Sequence, residues 1–190
     1  MNLEITIDRV FSYLRDLCRP IGRKRRPGVD VEAIIARLHV LGLQGPPDLV
    51  QLYSLCDGTE TVVGDLLDEI QFFPGFYWMN LDKAITTYKS LVKDGRWSAA
   101  WLPIFANGGG DFYAVICDEK SHDFGGLVGF ILGESDQIIE FENVSSMFRT
   151  IERSFAEKAF FVSNGRLQAD YPKMRAIARS VQPAFTEHDA

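Results

Sequence analysis

Trp101-Leu102-Pro103-Ile104-Phe105-Ala106 and Phe112-Tyr113-Ala114-Val115-Ile116-Cys117, joined by Asn107-Gly108-Gly109-Gly110-Asp111, decide the fold. Both runs are rich in aromatic and β-branched residues, and the glycines supply the backbone freedom of a tight turn. Two more such runs follow, residues 127–132 and 138–141. Their links are His122-Asp123-Phe124-Gly125-Gly126 and Gly133-Glu134-Ser135-Asp136. Links this short cannot carry a parallel crossover, so an antiparallel meander is expected.

Outside this block the hydrophobic period is helical. Val10, Phe11, Leu14, Leu17 and Cys18 place a helix over residues 5–18, ended by Pro20 and Gly22. Asp30 is a candidate N-cap for residues 31–41, with Ile34, Ile35 and Leu38 on the buried face. Gly45-Pro46-Pro47-Asp48 opens a helix whose stripe is Leu49, Leu52, Tyr53 and Cys56, with Gly58 as its left-handed stop. Residues 61–79 read as irregular, with strand-like pieces at 70–73 and 77–79. Asn80 caps a helix over 81–93. After the strands, Met147, Phe148, Ile151 and Phe155 mark a helix over 144–161, Asn164-Gly165 a turn, and 171–180 a last helix. The expected architecture is α+β: a twisted antiparallel sheet of about four to six strands, with N-terminal and C-terminal helices packed on it.

Composition agrees with a single domain over residues 1–190. The chain is 46% apolar and 12% aromatic, too much for disorder. No apolar stretch reaches membrane-spanning length, and the opening MNLEITIDRV lacks the apolar core of a secretory signal. A cytoplasmic location is the default expectation. Cys18, Cys56 and Cys117 are widely spaced and fit no metal or disulfide pattern, so reduced, partly buried thiols are expected.

The net charge of −6 is segregated. Residues 38–82 and 97–148 carry −7 each, whereas 1–37, 83–96 and 149–179 carry +3, +3 and +4. If the acidic blocks meet in space, they repel nucleic acid and attract a basic partner. The basic loop 19–28, with Arg19, Arg23, Lys24, Arg25 and Arg26, is expected to be a solvated linker.

Catalytic signatures are sparse. There is no Gly-x-Ser-x-Gly elbow. The triglycine turn lacks the Lys-Ser/Thr ending of a phosphate loop, and a strand follows it. Of His39, His122 and His188, only His122 has a suggestive setting, beside Asp123 and near Asp118 and Glu119. A solvated loop explains it better than a hydrolase or metal site. Phe72-Phe73-Pro74-Gly75-Phe76-Tyr77-Trp78 packs five aromatics into seven residues, so some are candidates for an exposed recognition patch.

Three pieces together resemble the SUKH superfamily, which contains yeast cell-wall-synthesis regulators and many bacterial immunity proteins. Residues 46–58, with Pro47, Leu49, Tyr53 and Gly58, are similar to its early proline, short-helix, glycine element. Trp101-Leu102-Pro103-Ile104-Phe105 followed by Gly110-Asp111 is similar to its central strand–turn motif. Val144-Ser145-Ser146-Met147-Phe148 is similar to its terminal helix entry. The resemblance covers about residues 30–160, leaving the first helix, the basic loop and the last helix as additions. Asp57 stands where the family often has Asn, and Ile116 where it often has Asp.

The resemblance implies an α+β domain without catalysis, cofactor or metal. Bacterial members bind and neutralise toxins, and eukaryotic members act as scaffolds. The expectation is therefore an immunity-type module for a protein partner, such as a basic toxin domain, with no nucleic acid or membrane contact. Candidate partner-facing residues are Asp65, Asp68, Glu69, Phe76, Tyr77, Trp78, Asp118, Glu119 and Asp123. The alternative is a small-molecule or regulatory scaffold domain, with a pocket near Tyr53, Trp101 and Asp111.

Overall fold

A computed structural model describes residues 2–186. Strands β1 (Tyr77–Trp78), β2 (Trp101–Ala106), β3 (Phe112–Ile116), β4 (Leu127–Phe130) and β5 (Ile138–Phe141) pair antiparallel in chain order. This is the expected meander, extended by β1. Strand alternation sorts the sheet's two faces. Val115 joins the main core, while Ala114 packs with Trp97 and Phe130 in a smaller cluster.

The helices are α1 (Leu3–Asp16), α2 (Val31–His39), α3 (Pro47–Leu55), α4 (Leu67–Ile70), α5 (Leu81–Leu91), α6 (Val144–Ala156), α7 (Tyr171–Val181) and α8 (Pro183–Thr186). Asp30 and Asn80 cap α2 and α5 as expected, by accepting from Ala33 and Lys83 N–H. Asn143 caps α6 in the same way. Each such cap contributes about 1 kcal/mol. Helix α6 is central: α1 and α7 both pack on it.

The core is aromatic. Phe72 is fully buried, with ring centroids 5.4 Å from Phe11, 5.1 Å from Trp78 and 6.0 Å from both Phe105 and Phe148. The aromatic-rich run is therefore mostly core, not display.

Several local expectations are corrected. Residues 70–73 are not a strand: Ile70 ends α4, and Phe73 bridges to Phe76 around Pro74-Gly75. The helix from Val144 stops at Ala156, and Lys158 takes a φ of 58°. Phe160 and Phe161 belong instead to β6 (Phe160–Ser163), which pairs with β7 (Arg166–Ala169). Asn164 and Gly165, with φ of 52° and 76°, form the two-residue turn whose twist suits a hairpin. The aromatic and β-branched content of residues 160–162 outweighs the preceding helical period.

Ile35 faces solvent, because α2 buries only Ile34 and Leu38 on its inner stripe. Cys18 also faces solvent, since the chain leaves α1 before it with a φ of 55°. Gly58 is not the helix cap. Helix α3 ends at Leu55, and Cys56 is already extended. The positive φ of Gly58 serves a close approach: a Cβ there would lie 2.7 Å from the Met79 carbonyl oxygen.

The basic loop is not a solvated linker. It forms a 3-10 turn (Pro20–Arg23) and four ion pairs: Arg19 with Asp68, Lys24 with Asp65, Arg25 with Asp8, and Arg26 with Asp57. Three of these pairs tie the basic loop, as a strap, to acids of the 38–82 block, whereas Asp8 lies in the same block as Arg25.

Candidate functional site

The acidic candidates separate into two places. Glu69, Asp65 and Asp68 lie on the segment entering and forming α4, beside the β2–β3 turn. A Cβ on Gly108 of that turn would lie 3.0 Å from Leu67 Cδ2. Asp118, Glu119 and Asp123 occupy the β3–β4 link, which emerges from the opposite end of the same strands. They are exposed there, on both sides of Lys120. The two acidic blocks therefore do not form one face.

Asp65 and Asp68 are internally satisfied. Lys24 Nζ lies 2.8 Å from Asp65 Oδ2. That hydrogen bond, together with one from Val62 N–H, holds the Asp65 carboxyl below its usual range. Asp68 Oδ2 accepts from Arg19 at 2.9 Å, and the Arg19 side chain is only 6% exposed. Neither acid is a free charge for a partner. Glu69 is exposed, with no ion pair among the described residues.

The aromatic candidates are corrected similarly. Trp78 is fully buried, and Phe76 and Tyr77 are half-buried against the core. Phe76 packs on Tyr113 at 4.9 Å, so its ring has a structural task.

The motif residues shape the fold. Pro47 starts α3, Leu49 is buried, and the buried Tyr53 hydroxyl donates to the Met79 carbonyl at 3.2 Å. Burial pushes the Tyr53 phenol well above its usual range. Pro103 is buried where the β2–β3 register shifts. Trp101 meets Trp97 edge-on at 5.7 Å on the other face. Asp111 closes the glycine turn: Oδ2 accepts from Asn107 Nδ2 at 2.6 Å, and Oδ1 accepts from Leu132 N–H at 3.0 Å. Tyr53, Trp101 and Asp111 thus lie in the main core, the smaller cluster and a turn, and do not converge on one pocket.

His39 and His122 are exposed, and His188 lies outside the described residues. Among the described residues no group of histidine, cysteine and acid side chains could hold a metal ion. Burial pushes the Cys56 thiol up to about 11 and Cys117 to about 12, so both stay protonated at neutral pH.

Sequence reasoning missed exposed apolar residues on either side of the glycine turn. Leu66 and Leu67 are 65% and 53% exposed on one side of the glycine turn, and Ile131 and Leu132 are 48% and 41% exposed on the other. Gly110 lets Leu132 close in: a Cβ there would lie 2.7 Å from Leu132 Cδ2. Glu69, Glu134 and Asp136 are exposed on the same flanking segments. The run 127–132 reads as one strand, but β4 ends at Phe130 and leaves Ile131 and Leu132 in the turn beyond it, while Leu66 and Leu67 fall in the irregular stretch 61–79.

This geometry sits inside a recognised unit: the profile of the SMI1 / KNR4 family (SUKH-1) matches residues 28–157. The chain belongs to the SUKH-1 family. Comparison with curated proteins finds no match. The SUKH-1 match takes in the sheet, the glycine turn and α6, but not α1, β6, β7 or α7. No described helix is long and apolar enough to cross a membrane.

Proposed function

We propose that this SUKH-1 domain is a non-catalytic protein-binding module of the immunity type, which neutralises a basic toxin domain by covering it. The supporting observation is the glycine-turn end of the sheet. Leu67 and Leu132 flank the turn there, Leu66 and Ile131 are exposed beside them in sequence, and Glu69, Glu134 and Asp136 are exposed on the same segments. An apolar centre with a charged rim is the layout of a protein interface, and acids on the rim steer a cationic partner. With Asp65 and Asp68 paired to the strap, the electrostatic role falls to these three acids, which make no ion pair among the described residues.

The test is affinity capture of the tagged chain from its native host at low and high salt, followed by binding of the recovered partner to Leu67→Asp and Leu132→Asp variants. One basic protein at near-equal stoichiometry, released by salt and lost by both variants, supports the reading. A partner that binds both variants as well as wild type places its interface elsewhere and overturns this assignment.

A further inference from the structure

The β6–β7 hairpin lies beyond the family match and has an open edge. Its phase is fixed by the Asp170 N–H, which donates to the Ala159 carbonyl at 2.8 Å. In an antiparallel ladder hydrogen-bonded pairs alternate, so Phe161–Gln168 and Ser163–Arg166 share this phase. Leu167 and Ala169 therefore turn both N–H and C=O away from β6.

A groove of about 500 Å³ runs along β7. Residues Arg166–Ala169 form one wall, and Asp68, Gln71, Pro74 and Gly75 the other, with Tyr171 at one end. Among the described residues no hydrogen bond crosses from the far wall to Leu167 or Ala169. The Gln71 side-chain carbonyl on that wall also lacks a donor. The groove is held at fixed width by Arg19. Its guanidinium donates to the Gly165 carbonyl at 2.7 Å on the hairpin side, and to the Asp68 carbonyl and carboxylate on the other.

Charge narrows the occupant. Asp68 is neutralised by Arg19, whereas Arg166 is exposed with no ion pair among the described residues. The groove is thus a strand-length slot with outward backbone donors and acceptors, and Arg166 is the cation among its lining residues. We propose that it binds an extended acidic segment of a partner polypeptide, which adds as a strand beside β7. Main-chain hydrogen bonds would give affinity, and Arg166 the preference for acid. This site is separate from the glycine-turn surface and does not depend on it.

The probe is a displayed library of random heptapeptides panned on the full chain, followed by the best-enriched synthetic heptapeptide. Enriched peptides should carry acidic residues and slow amide exchange at Leu167 and Ala169. Ala169→Pro deletes one outward N–H and leaves the β6 pairing intact, so it should weaken binding about tenfold. Arg166→Glu, a change at an exposed side chain, should weaken acidic peptides to a similar degree and keep the melting temperature. No enrichment, unchanged exchange at Leu167 and Ala169, or wild-type peptide affinity in both variants would overturn the proposal. Neither variant should alter binding of a basic partner at the glycine-turn end, so each reading can fail alone.

Discussion

The backbone N–H of Leu81, first residue of α5, donates at 2.8 Å to Oδ1 of Asp57, which lies 24 positions earlier in the chain. Asp57 is 6% exposed, and its Oδ2 meets Arg26 Nε at 3.2 Å. One carboxylate thus joins the segment after α3, the start of α5 and the basic strap. Asn at this position keeps the acceptor for Leu81 and loses only the ion pair with a partly exposed arginine. Asp57→Asn should therefore cost less than about 1 kcal/mol, whereas Asp57→Ala should cost about 2–3 kcal/mol by stranding a buried N–H. Urea unfolding of both variants checks the order. Equal losses would show that the Leu81 hydrogen bond contributes little.

Arg19 is the second long-range connector. It is 6% exposed and ties the hairpin turn to α4. Arg19→Met preserves length and leaves the Asp68 carboxylate and the Gly165 carbonyl without their partner. The Asp68 side chain is 33% exposed, so water replaces part of the lost contact and the expected cost is about 1–2 kcal/mol. Hydrogen exchange should show faster opening of β6 and β7 than of β2 and β3. Uniform acceleration across the chain would mean that Arg19 supports global stability without a local role at the hairpin.

The sheet was legible in the sequence because its signals are local. Trp101–Ala106 and Ile138–Phe141 have the expected bounds, since alternation and glycine turns are encoded within a few residues. The hairpin β6–β7 was not legible for the opposite reason: its first strand continues directly from a strong amphipathic helix. The family resemblance located the core because its motif residues, such as Tyr53, Pro103 and Asp111, serve turns and packing. The same fact explains why they do not mark a binding site.

Charge misled where packing decides. The sequence shows Asp65 and Asp68 in an acidic block, but only the fold brings Lys24 and Arg19 to them across 41 and 49 positions. The exposed Leu66, Leu67, Ile131 and Leu132 were equally hidden: Ile131 and Leu132 read as the end of a strand, and Leu66 and Leu67 lie in an irregular stretch that carries no mark of exposure.

Glu140 gives a pH-dependent prediction. Its side chain lies across Gly129, with Oε1 at 2.0 Å from where a Cβ would be. Oε2 accepts from the Tyr113 hydroxyl at 2.9 Å, and its backbone carbonyl accepts from Gln182 Nε2. Burial pushes the Glu140 carboxyl above its usual range, and the Tyr113 hydrogen bond opposes this only in part. The folded state therefore holds this proton more tightly than the unfolded state. That contribution is complete below the unfolded pKa and is lost as pH rises through the folded pKa. Glu140→Gln keeps the shape and an acceptor for Tyr113 without ionising. The variant should melt higher than wild type at pH 7 and equally at pH 4. A lower melting temperature at pH 7 would show that the anion itself stabilises the fold.

Two sets of charge reversal separate structure from recognition. Asp65→Lys with Asp68→Lys places cations against Lys24 and Arg19, so the strap should detach and the melting temperature should fall sharply. Glu69→Lys, Glu134→Lys and Asp136→Lys alter exposed groups without ion pairs among the described residues, so each should change stability by no more than about 0.5 kcal/mol. The triple variant should instead slow association with a basic partner by about tenfold or more at low salt, with the difference shrinking as salt rises. Stopped-flow association measured beside thermal melts distinguishes the two effects. If the triple variant associates at the wild-type rate across the salt series, the acidic border has no steering role.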